Sequence, residues 1–597
     1  MVKMKNIQKI LLIVMVSMLI NSCSQDFLNT TPKDRLSETA VWSDPNLVEL
    51  FVNEIYRGLG HGHNELEIGS LADESHFIHN YGSNQVVASL ITPSDIGAFS
   101  RGDMSEYNYR TLYGFIRNAV MFQENIDDVP FDDEEWRTRL KGEVHFLIAY
   151  FYHNLVRLYG GVPIITRTFA LDDEFEVPRN TLKECIDHIV SNADAAAAIL
   201  PVRWEGANLG RANRSGALAL KSRILLWAAS DLVHENWYGS YEQPELIQYG
   251  VDRTTAWSAA KAAALEVMNL PGYSLEEGTG DPFQDYTNLF VEKRSDEKIF
   301  SRYFIKSNGW DSEDNNTHSP LFNGPNGYSA WAGNTPIQAL VDDYEMADGT
   351  PFDWNNAAHA AAPYENRDPR FSASILYDGA PWRQRPSSTA SYDPENKISI
   401  RTVYSGMTAD PDAVVSYGID TRQGPQQTWN GTYTGYYLRK LIDISVDPEF
   451  VYDGGANQEV PWTYFRLGEI YLNYAEACIE LGEDDEAKTY LNMLRARAGM
   501  PDITETGDAL RQRDRNERRI EMAFEQSRYF DIRRWLIGSQ VYNNTKGIVI
   551  DEFSDGSVSY TTREVGQARG WNDRTNLLPI EQDEMNRNNL LIQNPLY

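Results

Sequence analysis

The sequence predicts an all-α protein: a scaffold of tetratricopeptide-like helical pairs carrying a loop-rich, irregular subdomain. Three observations carry this expectation. Apolar residues recur at helical spacing through most of the first half. Between Arg466 and Gly499 one helix pair places Tyr471, Tyr474, Ala475, Gly482, Ala487 and Leu491 much as a tetratricopeptide unit does. From about Tyr273 to Pro461 the composition shifts to Gly, Pro, Asn, Asp and aromatics without sustained period. The expected divisions are a signal segment (1–22), a helical region (23–272), a loop-rich region with short strands (273–460) and a second helical region (461–597).

Lys3, Lys5 and Lys9 precede an apolar run from Ile10 to Ile20, too short to span a bilayer but suited to a secretory signal. Leu19-Ile20-Asn21-Ser22-Cys23 resembles a bacterial lipobox, which makes Cys23 the expected acylation site. A conventional secretory signal with an incidental cysteine is the alternative. Leu140, Val144, Leu147, Phe151, Leu155 and Leu158 form one stripe of a long helix, ended by Gly160-Gly161 and Pro163. Thr181 to Glu184 reads as a capping box opening a helix that runs to Leu200. Similar patterns cover about Asn46 to Leu59, Asn108 to Ile126, Ser215 to Leu232 and Thr255 to Leu270. A short helix is expected to start at Thr335-Pro336. Glu517 to Trp535, with opposite charges three and four apart, reads as a single helix carrying a structural ion-pair network.

The 597 residues hold 54 basic and 86 acidic side chains, a net charge of −32. That charge repels phosphate backbones and anionic lipid, so no nucleic-acid partner is expected, and membrane attachment has to be non-electrostatic. Three cysteines are too few for a disulfide scaffold, and Cys185 and Cys478 read as buried free thiols. There is no HExxH, GxxxxGK[ST], GxSxG or CxxC motif. His61 with His63, and His76 with His79, have ligand-like spacing but read as hydrogen-bonded or surface histidines, so no metal or cofactor is expected. Asp132 to Glu135 reads as a solvated helix start. The aromatics Trp310, Phe322, Tyr328 and Trp331 lie among polar loop residues. They are either the small core of that subdomain or a platform for sugar rings.

A stronger signal follows. Gly142-Glu143-Val144-His145-Phe146-Leu147-Ile148-Ala149-Tyr150, running to Tyr159-Gly160-Gly161-Val162-Pro163, resembles the corresponding helix of the SusD/RagB family of Bacteroidota outer-membrane lipoproteins. Further matches are Val177-Pro178-Arg179, Asp342-Asp343-Tyr344-Glu345, Arg367-Asp368-Pro369-Arg370, Thr434 to Lys440, Glu517-Arg518-Arg519 to Arg534-Trp535, and Gln593-Asn594-Pro595. His145 and Ile148 depart from the more usual arginines.

The resemblance implies a non-enzymatic lid, anchored on the outer leaflet, that captures oligosaccharides for a SusC-like TonB-dependent transporter. A peptide-binding lid of the RagB type is the main rival, and an anchored glycoside hydrolase the third reading. Family glycan contacts come from loops after the first helix and from the middle region. The expected ligand-binding residues are therefore Asp73, Tyr81 and Arg101, with Trp310, Tyr328 and Trp331 as the stacking surface. Of the acidic pattern that assists surface export after the cysteine, only Asp26 is present.

Overall fold

A computed structural model describes residues 38–170, 172–305, 318–447, 449 and 458–597; Cys23, Asp26 and Trp310 lie outside the described residues. The helices form where the periodicity puts them. Asp133 caps helix Glu134–Tyr159 by accepting from the Glu135 and Trp136 amides, and Glu134 and Glu135 add negative charge at its positive end. At the other end Gly160 has φ 75°, and a Cβ there would lie 2.7 Å from the Leu246 carbonyl oxygen, so conformation and neighbour both require glycine. Thr181 and Glu184 complete both halves of the capping box of helix Leu182–Ile199.

Helices Arg214–Ala229 and Arg253–Met268 continue the stack, each packed on its predecessor. Helix Leu467–Glu480 then packs on 253–268, although the whole middle region separates them in sequence, and pairs with Asp484–Arg497. Ala475 and Ala487 are fully buried in this pair, small enough to let the helices approach. Cys185 and Cys478 are buried free thiols. The middle region leaves and re-enters the helical body through one antiparallel ribbon, Lys298–Arg302 against Trp462–Arg466, which delivers the chain directly into helix 467–480.

Three local expectations need correcting. The chain at Thr335-Pro336 is not a helix start but strand Asn334–Pro336, paired with Ser75–Phe77; helix Gln338–Asp343 begins after it. The Asn334 side chain donates to the Glu65 carbonyl and to Asn323, and Thr335 donates to the His76 carbonyl, so local bonding holds this stretch extended. The Glu517 to Trp535 stretch is two helices, Gly507–Glu521 and Arg528–Arg534. Phe524 and Gln526 between them are left-handed, at φ 62° and 64°. The carbonyls released at the break are taken by buried cations: Lys440 donates to Ala523 and Arg466 to Glu521, while the Tyr286 hydroxyl also donates to Glu521. Beyond the expected helices, the C-terminal region carries a hairpin, Lys546–Glu552 with Val558–Glu564. Its first strand runs parallel to Thr402–Tyr404, joining the two regions in one four-stranded sheet.

The charged residues of the broken helix form the expected ion-pair network, and it is buried. Arg518 and Arg534 hold Asp531, Arg534 also holds Glu476, and Arg519 and Arg528 hold Asp73. Such pairs keep their shape because loss of one partner strands a charge in the interior.

Candidate functional site

The turn after helix Pro45–Tyr56 and the 3₁₀ segment Gly102–Tyr107 face residues of the middle region across a cleft of about 550 Å³. Its walls include Asn64, Glu65, Arg101, Asp103, Arg302 and Phe322. Aromatic and polar groups converge at its rim. Tyr81, at φ 44° and 41% exposed, turns one ring face toward the Arg101 guanidinium 4.2 Å away. Its hydroxyl lies toward the Glu65 carboxylate. Arg101 is fixed in turn by Asp103, 2.8 Å from Nε. The Tyr81 ring stacks at 6.0 Å on His79, whose Nε2 lies 3.0 Å from the Trp331 carbonyl oxygen. Trp331 is half-buried and rests on Phe322, with ring centres 5.6 Å apart.

The rim continues past His79. Burial and the nearby Arg422 lower this imidazole, against the pull of the Trp331 carbonyl, and Arg422 lies 4.0 Å over the Tyr433 ring. Tyr433 and the strongly exposed Trp429 extend the aromatic surface. An arrangement of partly exposed ring faces beside fixed carboxylate, amide and guanidinium groups suits a ligand with apolar C–H faces and many hydroxyls.

Of the expected site residues, the structure brings together Tyr81, Arg101 and Trp331. It takes two others away. Asp73 is buried, with Oδ1 accepting from Arg528 at 2.7 Å and Oδ2 from Arg519 at 2.5 Å. Burial pushes its carboxyl up, but the two guanidiniums overcome this and hold it well below the usual carboxylate range. Buried and committed to two guanidiniums, this carboxylate is out of reach of a sugar hydroxyl. Tyr328 is fully buried under Arg385, 4.1 Å from its ring, so it belongs to the core of the loop-rich subdomain. Trp310 lies outside the described residues. Glu65, Asn64, Asp103, His79 and Tyr433 were missed. The polar run His61 to Glu65 directly after the first helix was the signal that could have found the first two.

The histidines of this region are engaged within the protein. Burial lowers His63 to about 3, and its Nδ1 is 2.9 Å from the Ser319 hydroxyl. Among the described residues no group of three or more His, Cys, Asp or Glu side chains could hold a metal ion.

One cleft carboxyl should be visible in solution. Glu106 is buried, its Oε1 has no hydrogen-bond partner, and burial raises its pKa to about 8. A carboxyl raised in the folded state favours folding fully below its unfolded pKa of about 4.5, and that contribution is lost as pH rises through about 8. Glu106→Gln removes this ionisation. Its thermal midpoint should therefore fall less than the wild-type midpoint between pH 5 and pH 8; parallel curves would refute the assignment.

The SusD family model matches residues 296–597, and a second model, described as starch-binding and associating with the outer membrane, matches residues 26–226. SusD-like protein P25 of Formosa agariphila is 22% identical over 98% of both chains. Among solved structures, a SusD-like protein of Bacteroides fragilis is 28% identical, with a TM-score of 0.71 over 95% of this chain and 100% of its own. A SusD-like carbohydrate-binding protein of the same organism, 22% identical, has a TM-score of 0.70 over 92% of this chain and 99% of its own.

Proposed function

This chain belongs to the SusD family, and from that premise we propose that it is a cell-surface lipoprotein that captures oligosaccharides at the Tyr81–Trp331 cleft and passes them to a SusC-like TonB-dependent transporter. The observation that carries the binding half is the rim itself: the Tyr81 ring beside Glu65, Arg101 and Asp103, joined through His79 to Trp331. Among the described residues three carboxyls line the cleft: Asp103 is held by Arg101, Glu65 lies at the Tyr81 hydroxyl, and Glu106 is buried. Glycoside hydrolysis needs a proton-donating carboxyl and a second to attack or activate water, so a sugar-release assay decides between binding and hydrolysis.

Affinity electrophoresis against a polysaccharide panel, with a reducing-sugar assay on the same samples, tests this reading. Retardation without sugar release supports it. Sugar release would make the protein an enzyme, and tight peptide binding with no glycan binding would make it a lid of the RagB type.

The anchoring half rests on Cys23 after Leu19-Ile20-Asn21-Ser22. Among the described residues no helix is long and apolar enough to cross a membrane, and acyl chains at about 0.8 kcal/mol per buried methylene would anchor an acidic chain without spanning. Cys23→Ala should abolish palmitate labelling and move the protein out of the membrane fraction. An unlabelled wild-type protein would end the lipoprotein reading. Delivery to a transporter predicts a stable complex, so a TonB-dependent barrel should co-purify from outer membranes.

A further inference from the structure

We propose that a small pocket behind the cleft binds a small monovalent anion of halide size, chloride in physiological medium, with Arg157 as its principal ligand. The cavity holds about 40 Å³, above the ~10–15 Å³ that one water-sized occupant needs. Arg157, Arg223, Tyr107, Tyr150, Gln526 and Ser527 are among its walls. The proposal does not depend on which ligand the outer cleft takes.

The pairing of charges points to an anion. Arg157 is 8% exposed and lies flat on Phe530, 3.6 Å from the ring centre. Its Nη2 donates to Asn154 Oδ1 at 2.8 Å, while Nε has no partner, and none of the described carboxylates pairs with it. The acidic groups of the wall are already engaged. Glu469 takes Arg223 through two bonds of 2.6 Å, Asp531 takes Arg518 and Arg534, and Glu525 takes Arg466 and Lys440. Four guanidiniums (Arg157, Arg223, Arg518, Arg534) line the space, and Arg157 is the one of the four that none of the described carboxylates pairs with.

Burying an uncompensated guanidinium is strongly unfavourable, and water in the cavity would solvate the charge without neutralising it. Burial, then Arg223, lower Arg157 to about 9, which still leaves it cationic at neutral pH. The walls also offer neutral donors. The Tyr107 hydroxyl donates to Gln526 Oε1 at 3.0 Å, which orients the Gln526 amide, and Ser527 follows it. Both sit in the break between helices 507–521 and 528–534, so the left-handed residues Phe524 and Gln526 shape this wall.

The cavity is tied to the cleft. Asn154, which accepts from Arg157, donates to the Glu106 carbonyl at 3.0 Å, and Tyr464 of the cavity wall donates to the Gly60 carbonyl at 2.5 Å. Gly60 and Glu106 both line the cleft. An anion on Arg157 would therefore brace the floor of the ligand site.

Crystals of the full chain, purified in detergent and grown with bromide replacing chloride, decide the matter. The expected result is an anomalous peak in contact with the Arg157 guanidinium that is lost in Arg157→Met. The wild-type thermal midpoint should also be about 1–3 °C higher in chloride or bromide than in gluconate at equal ionic strength. Wild-type density without an anomalous peak in the cavity overturns the proposal however the variant folds, as does a peak that persists unchanged in Arg157→Met.

Discussion

Replacing Arg466 with methionine should destabilise the folded chain by about 3–5 kcal/mol, the range found when one partner of a buried ion pair is removed. Arg466 is buried and donates to three carboxylates: Glu297 and Glu521 at 2.8 Å, and Glu525 at 2.7 Å. It also donates to the Glu521 carbonyl at 2.9 Å, an acceptor released where the helix breaks. Methionine fills much of the same volume, so the effect reports charge and hydrogen bonding rather than a cavity. The loss should be shared, because Glu521 keeps Arg370 and Arg497 while Glu525 keeps Lys440.

Acidification gives a second reading. Burial pushes Glu521 and Glu525 up, but the surrounding cations overcome it and hold both below the ordinary glutamate value. Carboxyls depressed in the folded state stabilise it above their unfolded pKa of about 4.5, and the contribution is lost as pH falls below that value. The Arg466→Met chain should therefore lose less stability than wild type between pH 5 and pH 3. Urea unfolding at pH 7, 5 and 3 measures both effects, and a destabilisation under 1 kcal/mol at pH 7 would mean that the network contributes little.

Local signals in the sequence were enough for the helical body. The capping box at Thr181, the stripe from Leu140 to Leu158 and the stop at Gly160 each depend on residues within a few positions of one another, and each is found where the spacing puts it. Long-range contacts were not legible in the same way. Asp73 looked like an available carboxylate because its partners, Arg519 and Arg528, lie 446 and 455 residues away. The helical break after Glu521 was hidden for the same reason: opposite charges at helical spacing promised pairs along one helix, whereas the structure pairs Arg518 with Asp531 across the break and Arg519 with Asp73.

The hairpin near the C-terminus is a different case, since its signal was local and went unused. Ile548, Val549 and Ile550 are β-branched, Asp555-Gly556 is a turn pair, and Gly556 adopts φ 81° in the connection. Ile548 and Ile550 then bury their side chains with Tyr344, Phe371 and Tyr436, closing the core of the loop-rich subdomain.

The same contrast governs the site, where Tyr81 and Trp331 lie far apart in sequence and are joined through His79. If their ring faces carry the ligand, replacing both with alanine should weaken glycan binding by about a hundredfold, taking stacking at about 1.5 kcal/mol per ring. Tyr81 is the cleaner half of the pair. It is the more exposed ring, and its loss frees one face of Arg101 without opening a buried cavity. Trp331 packs on Phe322 and on the small cluster of Leu321, Ala330 and Val446, so its alanine variant should also lower the thermal midpoint slightly. Circular dichroism on each single variant separates that stability loss from lost binding. Calorimetry with the tightest ligand from a glycan array then gives the affinities. Near-additive losses in the two single variants would fit independent stacking faces on one sugar chain. A folded double variant with undiminished affinity would remove this cleft as the binding site and move attention along the same face to Tyr433 and Trp429, while membership of the SusD family would stand.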